Sequence, residues 1–341
     1  MRRLPVYILI DTSESMIGDA LDSAQSGLAL MLSTLRRNPY ALETVALSVI
    51  SFNSCARVLT PLTDLIEFQV PKLELRPGTA LGAAFDLLSE RIKLEVKKTT
   101  AEEKGDFRPI VFFITDGNPT DDWRAAFARF KAIRPRPALV YALGCGEEID
   151  FNLLKQIGDA TFRLNANSEE ELPELFKNVF VWLSSSVESV SQGVQDDFLT
   201  KEDAKLPAGV ERIGDDYRSP TATRFPRQIF LRTTCSTTGK HALVRLRYDE
   251  TAEAYTQARS YKLDSSFAVD ESGYEPPPVP MERIRVKLPD CPYCGNYLYI
   301  FCGCGAVYCE KAVTDYSVCP ECKTGGEVGF GGDFDVRNSA G

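Results

Sequence analysis

Two short stretches, V-Y-I-L-I at residues 6–10 and P-I-V-F-F-I-T at residues 109–115, are apolar almost without interruption. A strand with one wet face alternates apolar and polar side chains, whereas a strand covered on both faces has no reason to. Both stretches therefore predict central strands of a sheet with helices packed on either side. Each ends abruptly in a carboxylate, Asp11 after the first and Asp116 after the second. In an open parallel sheet, that end of the strands is the edge where ligands bind.

The intervening segments carry the helices such a sheet needs. Apolar residues recur at helical spacing over residues 17–36, 81–96, 121–133, 150–157 and 168–187. Asn38 and Pro39 end the first, and Ser168 with Glu171 forms a capping box on the last. Residues 44–52, 138–143 and 161–164 read as further strands, with 57–59 a short partner. This alternation over residues 1–192 specifies an α/β fold with a doubly wound, mostly parallel sheet. Polar residues 193–217 then read as a linker. Residues 218–326 read as a small β-rich domain, with strands at 228–233, 242–248 and 284–288 and a rigid proline spacer at 276–278. Gly-rich residues 327–341 read as a disordered tail.

Asp11, Ser13 and Ser15 form a D-x-S-x-S pattern immediately after the first strand. They offer only oxygen, the donor preferred by a hard divalent cation such as Mg²⁺, with Mn²⁺ or Ca²⁺ as alternatives. Thr79 lies in P-G-T-A at a helix start, and Asp116 in T-D-G, where Gly117 permits a tight turn. Each residue has an ordinary explanation: a helix cap for Ser13, Ser15 or Thr79, an Asx-turn for Asp116. Their joint occurrence, in this order, points to a metal. These five residues resemble, without substitution, the metal-ion-dependent adhesion site of von Willebrand factor A domains, and the resemblance covers about residues 4–190. It implies a Rossmann-like fold in which Ser13, Ser15 and Thr79 touch the ion directly or nearly so. Asp11 and Asp116 would hold it largely through water, and an acidic residue of a partner protein would take the remaining position.

The ten cysteines are unevenly spread, with Cys55, Cys145 and Cys235 scattered and seven crowded after residue 290. C-P-Y-C at Cys291 and Cys294 and C-P-E-C at Cys319 and Cys322 suit one closed tetrahedral Zn²⁺ site of structural type, with two disulfides as the alternative. For Cys302, Cys304 and Cys309 three readings stay open: ligands replacing one pair, part of an incomplete second site, or reactive thiols. Seven thiols cannot fill two four-cysteine sites, so a second ion would need a carboxylate or His241, the one histidine, which has no assigned role.

An A domain followed by this cysteine pattern resembles the TerY family of bacterial tellurite-resistance and chemical-stress proteins, with its C-terminal metal-binding domain. That resemblance implies a serine/threonine kinase and a metal-dependent protein phosphatase as partners. Ser13, Ser15 and Thr79, read as loop hydroxyls, are then expected phosphorylation targets, where a phosphate would add about −1.5 to −2 charge beside the ion. Other functions fit less well. The chain has no P-loop, no G-x-G-x-x-G and no G-x-S-x-G nucleophile elbow, so a non-enzymatic interaction module is expected. A net charge of −9, with six basic against eight acidic residues from Met281 on, argues against nucleic-acid binding. An A-domain subunit of an AAA+ chelatase or MoxR-type ATPase system is the alternative. No apolar run approaches a membrane span, and a cytoplasmic location is expected.

Overall fold

The structure, a computed structural model, describes residues 2–146, 149–166, 169–191, 206–214, 217, 225–263, 279–312, 315–328 and 335–336. The chain forms two compact units, Met1–Pro220 and Thr221–Gly341. The first contains β1 (Leu4–Asp11), α1 (Asp19–Arg37), α2 (Pro39–Thr44), β2 (Val45–Phe52), β3 (Ala56–Asp64), α3 (Leu81–Glu95), β4 (Ile110–Thr115), α4 (Trp123–Ala132), β5 (Leu139–Cys145), α5 (Phe151–Ile157), β6 (Ala160–Leu164), α6 (Leu172–Ser191) and β7 (Val210–Arg212). Its sheet runs β3-β2-β1-β4-β5-β6-β7. The five central strands are parallel, and β3 and β7 are antiparallel edges.

Every residue of β1, β2 and β4 is buried, which is why these segments lack polar alternation. Successive side chains of β1 feed opposite layers. Val6, Ile8 and Ile10 join Leu28 and Met31 of α1 and Phe180 of α6. Tyr7 and Leu9 join Phe85 of α3, Phe127 of α4 and Leu154 of α5 on the other face. At Gly27 a Cβ would overlap the Phe180 ring, so only glycine lets α1 and α6 approach this closely.

The chain passes from β1 outward to β2 and β3, then returns to lay β4 on the other side of β1. This reversal is the switch point at which doubly wound sheets open a crevice. Ile10 pairs with Ile114, so Asp11 and Asp116 leave the sheet side by side.

Several expected boundaries differ. The first helix begins at Asp19, after a 3-10 turn at Glu14–Met16. Asn38 also starts a helix: its side chain accepts from the N–H groups of Tyr40 and Ala41, with Pro39 in the first turn of α2. The expected partner at 57–59 is part of a nine-residue edge strand. Within the expected linker, Val210–Arg212 instead extends the sheet, pairing antiparallel with β6. Ser168, half of the expected capping box, lies outside the described residues.

The second unit contains β8 (Gln228–Thr234), β9 (His241–Asp249), β10 (Ala254–Lys262), β11 (Val279–Pro280), β12 (Leu298–Phe301), β13 (Val307–Glu310), β14 (Tyr316–Val318), β15 (Gly325–Glu327) and β16 (Asp335–Val336). Its main sheet runs β10-β9-β8-β13-β12, over a small core that includes Ile229, Leu231, Val244, Leu246 and Tyr255. β13 lies parallel to β8, joining Val307 to Thr233 and Tyr308 to Thr234. The expected strand at 284–288 is not formed: Ile284 follows a 3-10 turn and makes one isolated bridge to Tyr255. The proline spacer at 276–278 lies outside the described residues. Part of the expected disordered tail is ordered, since Asp335–Val336 pairs antiparallel with β11. Among the described residues, no helix is long and apolar enough to cross a membrane.

Candidate functional site

All five oxygen-bearing residues meet at the switch point, and all are buried. Asp11 Oδ1 accepts from the Ser13 N–H at 2.9 Å, and Asp11 Oδ2 from the Thr115 hydroxyl at 2.5 Å. The Ser13 and Ser15 hydroxyls lie 2.8 Å apart, and Ser15 donates to Asp116 Oδ1 at 2.6 Å. Thr79 comes from the loop before α3. Its backbone is clamped by Thr120, whose hydroxyl accepts from the Thr79 N–H at 3.0 Å and whose N–H donates to the Thr79 carbonyl at 2.9 Å.

The Thr79 side chain is held in place with nothing to bind. Its Oγ1 is buried without a hydrogen-bond partner, an arrangement that costs about 1–3 kcal/mol when uncompensated. A Cβ built on Gly117 would lie 3.2 Å from this oxygen, 3.7 Å from Ser15 Oγ and 3.8 Å from Asp11 Oδ2. Three donor oxygens thus surround one small space that only glycine leaves open. Burial pushes the Asp11 carboxyl up to about 6, against the opposing hydrogen bonds from Thr115 and Ser13. An orphaned hydroxyl, an open cradle and carboxylates taken out of water all fit a hard divalent cation.

Two supporting residues were not apparent from the motif. Glu14, fully buried inside D-x-S-x-S, accepts from the Gly78 N–H at 2.9 Å and ties the first loop to the Thr79 loop. Asp121 accepts from the N–H groups of Gly82 and Ala83 at 3.0 and 3.2 Å, capping α3 from the loop that follows Asp116. Cys145, buried at the end of β5, has its thiol pushed up to about 12, first by burial and then by Asp116. It stays protonated at neutral pH and is a poor nucleophile.

The cysteines are arranged differently from the expected single site. Cys291 and Cys294 meet Cys235 and Cys309, while Cys319 and Cys322 meet Cys302 and Cys304, the sulfurs in each group lying within 4.8 Å of one another. The two C-P-x-C pairs thus belong to different clusters, and the eighth thiol is Cys235, far upstream. Sulfur separations are 3.6 Å for Cys294–Cys309, 3.7 Å for Cys302–Cys322 and 3.8 Å for Cys304–Cys319. A disulfide needs about 2.0 Å. Four thiolates on one tetrahedral ion with bonds of about 2.3 Å lie about 3.8 Å apart. His241 is in neither cluster: its ring nitrogens contact Thr234 at 3.1 Å and Arg232 at 3.0 Å.

Three of the four knuckles share one backbone form, and the one at Cys302 is a residue shorter. The first cysteine N–H donates across the turn, from Cys235 to Lys240, Cys291 to Asn296, Cys302 to Ala306 and Cys319 to Thr324. A residue with positive φ closes each: Gly239, Gly295, Gly305 and Lys323.

Residues 6–178 match the sequence profile of the von Willebrand factor type A domain. The chain belongs to the von Willebrand factor type A domain family. No curated protein matches it. Among solved structures, it is similar to a von Willebrand factor type A protein from Catenulispora acidiphila, with 20% identity over 55% of this chain and 43% of that one, at a TM-score of 0.41. The ArnB paralog VWA2 from Sulfolobus acidocaldarius shares 16% over 52% and 45%, at 0.37. Proximal thread matrix protein 1 from the mussel byssus, with a zinc-occupied MIDAS motif, shares 18% over 55% and 48%, at 0.38. The chain spans a little under half the length of each. Its cysteine clusters depend largely on residues beyond the matched segment.

The three hydroxyls of the site are enclosed by the A domain. Ser13, Ser15 and Thr79, expected as loop hydroxyls, are 0%, 6% and 2% exposed. They are interior parts of the site. The same geometry predicts the effect of a minimal change. Gly117→Ala places a methyl among Thr79 Oγ1, Ser15 Oγ and Asp11 Oδ2. Calorimetric titration with Mg²⁺ should show affinity lowered on the order of 10–100-fold, the effect typical of disturbing a metal site's surroundings. Thermal unfolding of the A domain should move little.

Proposed function

We propose that this chain is a non-enzymatic docking protein whose A domain binds partners through a Mg²⁺-dependent adhesion site. The observation that carries this reading is the buried, unpartnered Thr79 Oγ1 facing the same small space as Ser15 Oγ and Asp11 Oδ2. Asp11, Ser13, Ser15, Thr79 and Asp116 would hold the cation. When bound, it supplies an electrophilic position for a carboxylate from a partner. The two carboxylates of the five-residue set balance the divalent charge in formal count, so an incoming acidic side chain would be drawn by an open coordination position and not by net positive charge. Thr115 and the Ser13 N–H orient Asp11, and Thr120 fixes the Thr79 backbone, so the donors are positioned before a partner arrives.

In the second unit, the two thiolate clusters would each hold one Zn²⁺. The partners are a serine/threonine kinase and a metal-dependent phosphatase acting in a cytoplasmic chemical-stress response. The A domain followed by paired C-P-x-C knuckles supports that assignment over a chelatase subunit. Affinity purification of the chain from its native host, in parallel in Mg²⁺ and in EDTA, tests both parts. Kinase and phosphatase peptides should be enriched in Mg²⁺ and lost in EDTA. Recovery of the same proteins in both buffers would remove the adhesion site as the docking surface.

A further inference from the structure

The two cysteine clusters have the same stoichiometry, four thiols each, yet their surroundings differ. In the inner cluster Cys235, Cys291 and Cys309 are 2%, 4% and 0% exposed and Cys294 is half-buried. In the outer cluster Cys304 and Cys322 are exposed, Cys302 is half-buried and only Cys319 is buried. Replacing a ligand on a bound ion requires the incoming donor to reach it, and the outer cluster, with two exposed thiols, is the more open to that approach.

The scaffolds differ in the same direction. Cys235 directly follows β8 and Cys309 lies within β13, so the inner ligands bracket the parallel pair at the centre of the five-stranded sheet. Their sulfurs are also supported. Cys309 Sγ accepts from the Ser236 N–H at 3.4 Å and the Asn296 amide at 3.6 Å, and Cys235 Sγ from the Thr238 N–H at 3.4 Å. Such donors hold thiolate charge in place, and the outer set has them too, at Cys322 from Thr324 and at Cys302 from Cys304, so it is the scaffold that separates the two clusters. The outer ligands lie instead in the turn between β12 and β13 and in the knuckle joining β14 to β15. That hairpin is a two-stranded sheet of three residues per strand, a structure marginal by itself in water. Its knuckle closes on Lys323 at φ 62°, where the other three knuckles use glycine. A non-glycine residue in the left-handed region is strained by the approach of its Cβ to the following carbonyl.

We propose that the clusters are unequal: the inner one locks the sheet, and the outer one, Cys302, Cys304, Cys319 and Cys322, is an exchangeable site for a thiophilic divalent cation, zinc or cadmium, whose loading orders the β14–β15 hairpin. The proposal rests on the reading of both clusters as metal sites. Exchange needs no redox partner. Metal–sulfur bonds break one at a time as bonds to the acceptor's donors form, the cation leaves as the 2+ ion, and the freed thiolates take protons from solvent.

The test uses the full chain loaded with zinc and challenged with excess chromophoric chelator, while aliquots are alkylated with N-ethylmaleimide and mapped by mass spectrometry. Two ions per chain should leave in two phases, the faster by on the order of ten-fold or more. Cys302, Cys304, Cys319 and Cys322 should be alkylated during the fast phase, and Cys235, Cys291, Cys294 and Cys309 only during the slow one. Cys322→Ser should remove the fast phase and leave the slow one. Hydrogen exchange on the wild-type chain, stopped after the first ion, should show β14 deprotected and β8 and β9 still protected. Release in one phase, early alkylation of the inner set, or one retained ion with the outer thiols open even in excess zinc would overturn the proposal. Failure of the zinc reading itself looks different: no ion is retained and all eight thiols react together.

Discussion

Cys235→Ser should cost the C-terminal unit its fold while leaving the A domain intact. The apolar core of this unit is small, built around Ile229, Leu231, Val244, Leu246, Tyr255 and Val279. A structural zinc site supplies about 10–16 kcal/mol of folding free energy at neutral pH, against about 5–15 kcal/mol for the whole stability of an ordinary domain. Serine at Cys235 cannot serve as a thiolate, and the inner cluster falls to three ligands beside the β8–β13 pair. Circular dichroism and hydrogen exchange should show β8, β9 and β10 unprotected, with zinc content reduced by at least one ion. Strands β1, β2 and β4 should keep their protection, because the A domain has its own two-layered core. Cys55→Ser, at a thiol outside both clusters, is the control and should change neither quantity. Full zinc content and unchanged protection in Cys235→Ser would show that Cys235 is not a ligand.

Cys235 also marks how far the sequence could be read. The central strands were legible because β1 and β4 are covered on both faces, and that constraint is written into every residue. The adhesion motif was legible because its first residues follow a strand end directly and its remaining members flank turns with recognisable chemistry. What failed is whatever depends on tertiary placement. C-P-Y-C and C-P-E-C look like partners in one dimension, yet each is completed by other cysteines. The usable signal for Cys235 was faint: a glycine four residues on, as after Cys291, at the position where the knuckle backbone turns left-handed. β10 was missed because it is an edge strand in which only Ala254 and Tyr255 are buried, so the polar remainder of A-Y-T-Q-A-R-S-Y-K carries little apolar signal. β7 was missed because three residues inside a polar stretch carry no periodicity, yet they close the edge of a sheet. Burial of Ser13, Ser15 and Thr79 could not be inferred from hydroxyls next to turns.

Asp11→Asn should abolish cation-dependent docking without unfolding the A domain. Asp11 is fully buried at the last position of β1, so truncation to alanine would strand the Ser13 N–H and the Thr115 hydroxyl. Asparagine preserves the shape: its carbonyl oxygen can accept from Ser13, and the Thr115 hydroxyl can reverse to accept from the amide. What disappears is charge. Burial already pushes this carboxyl up to about 6, so at neutral pH the metal-free domain carries an ionised group against its desolvation cost. Relative to the unfolded chain, such a raised carboxyl favours folding at low pH, and that contribution is lost as pH rises from about 4 through about 6. Metal-free Asp11→Asn should therefore be at least as stable as wild type above pH 7. Cation binding moves in the opposite direction. Removing one member of a buried charge pair costs about 3–5 kcal/mol, a hundred-fold or more in affinity at about 1.4 kcal/mol per ten-fold. Mg²⁺ titration by calorimetry should show this loss, and partner capture in Mg²⁺ should fall to the level of wild type in EDTA. If Asp11→Asn binds partners as wild type does in Mg²⁺, while its Mg²⁺ affinity is gone, docking does not run through the ion and recognition must lie elsewhere on the chain.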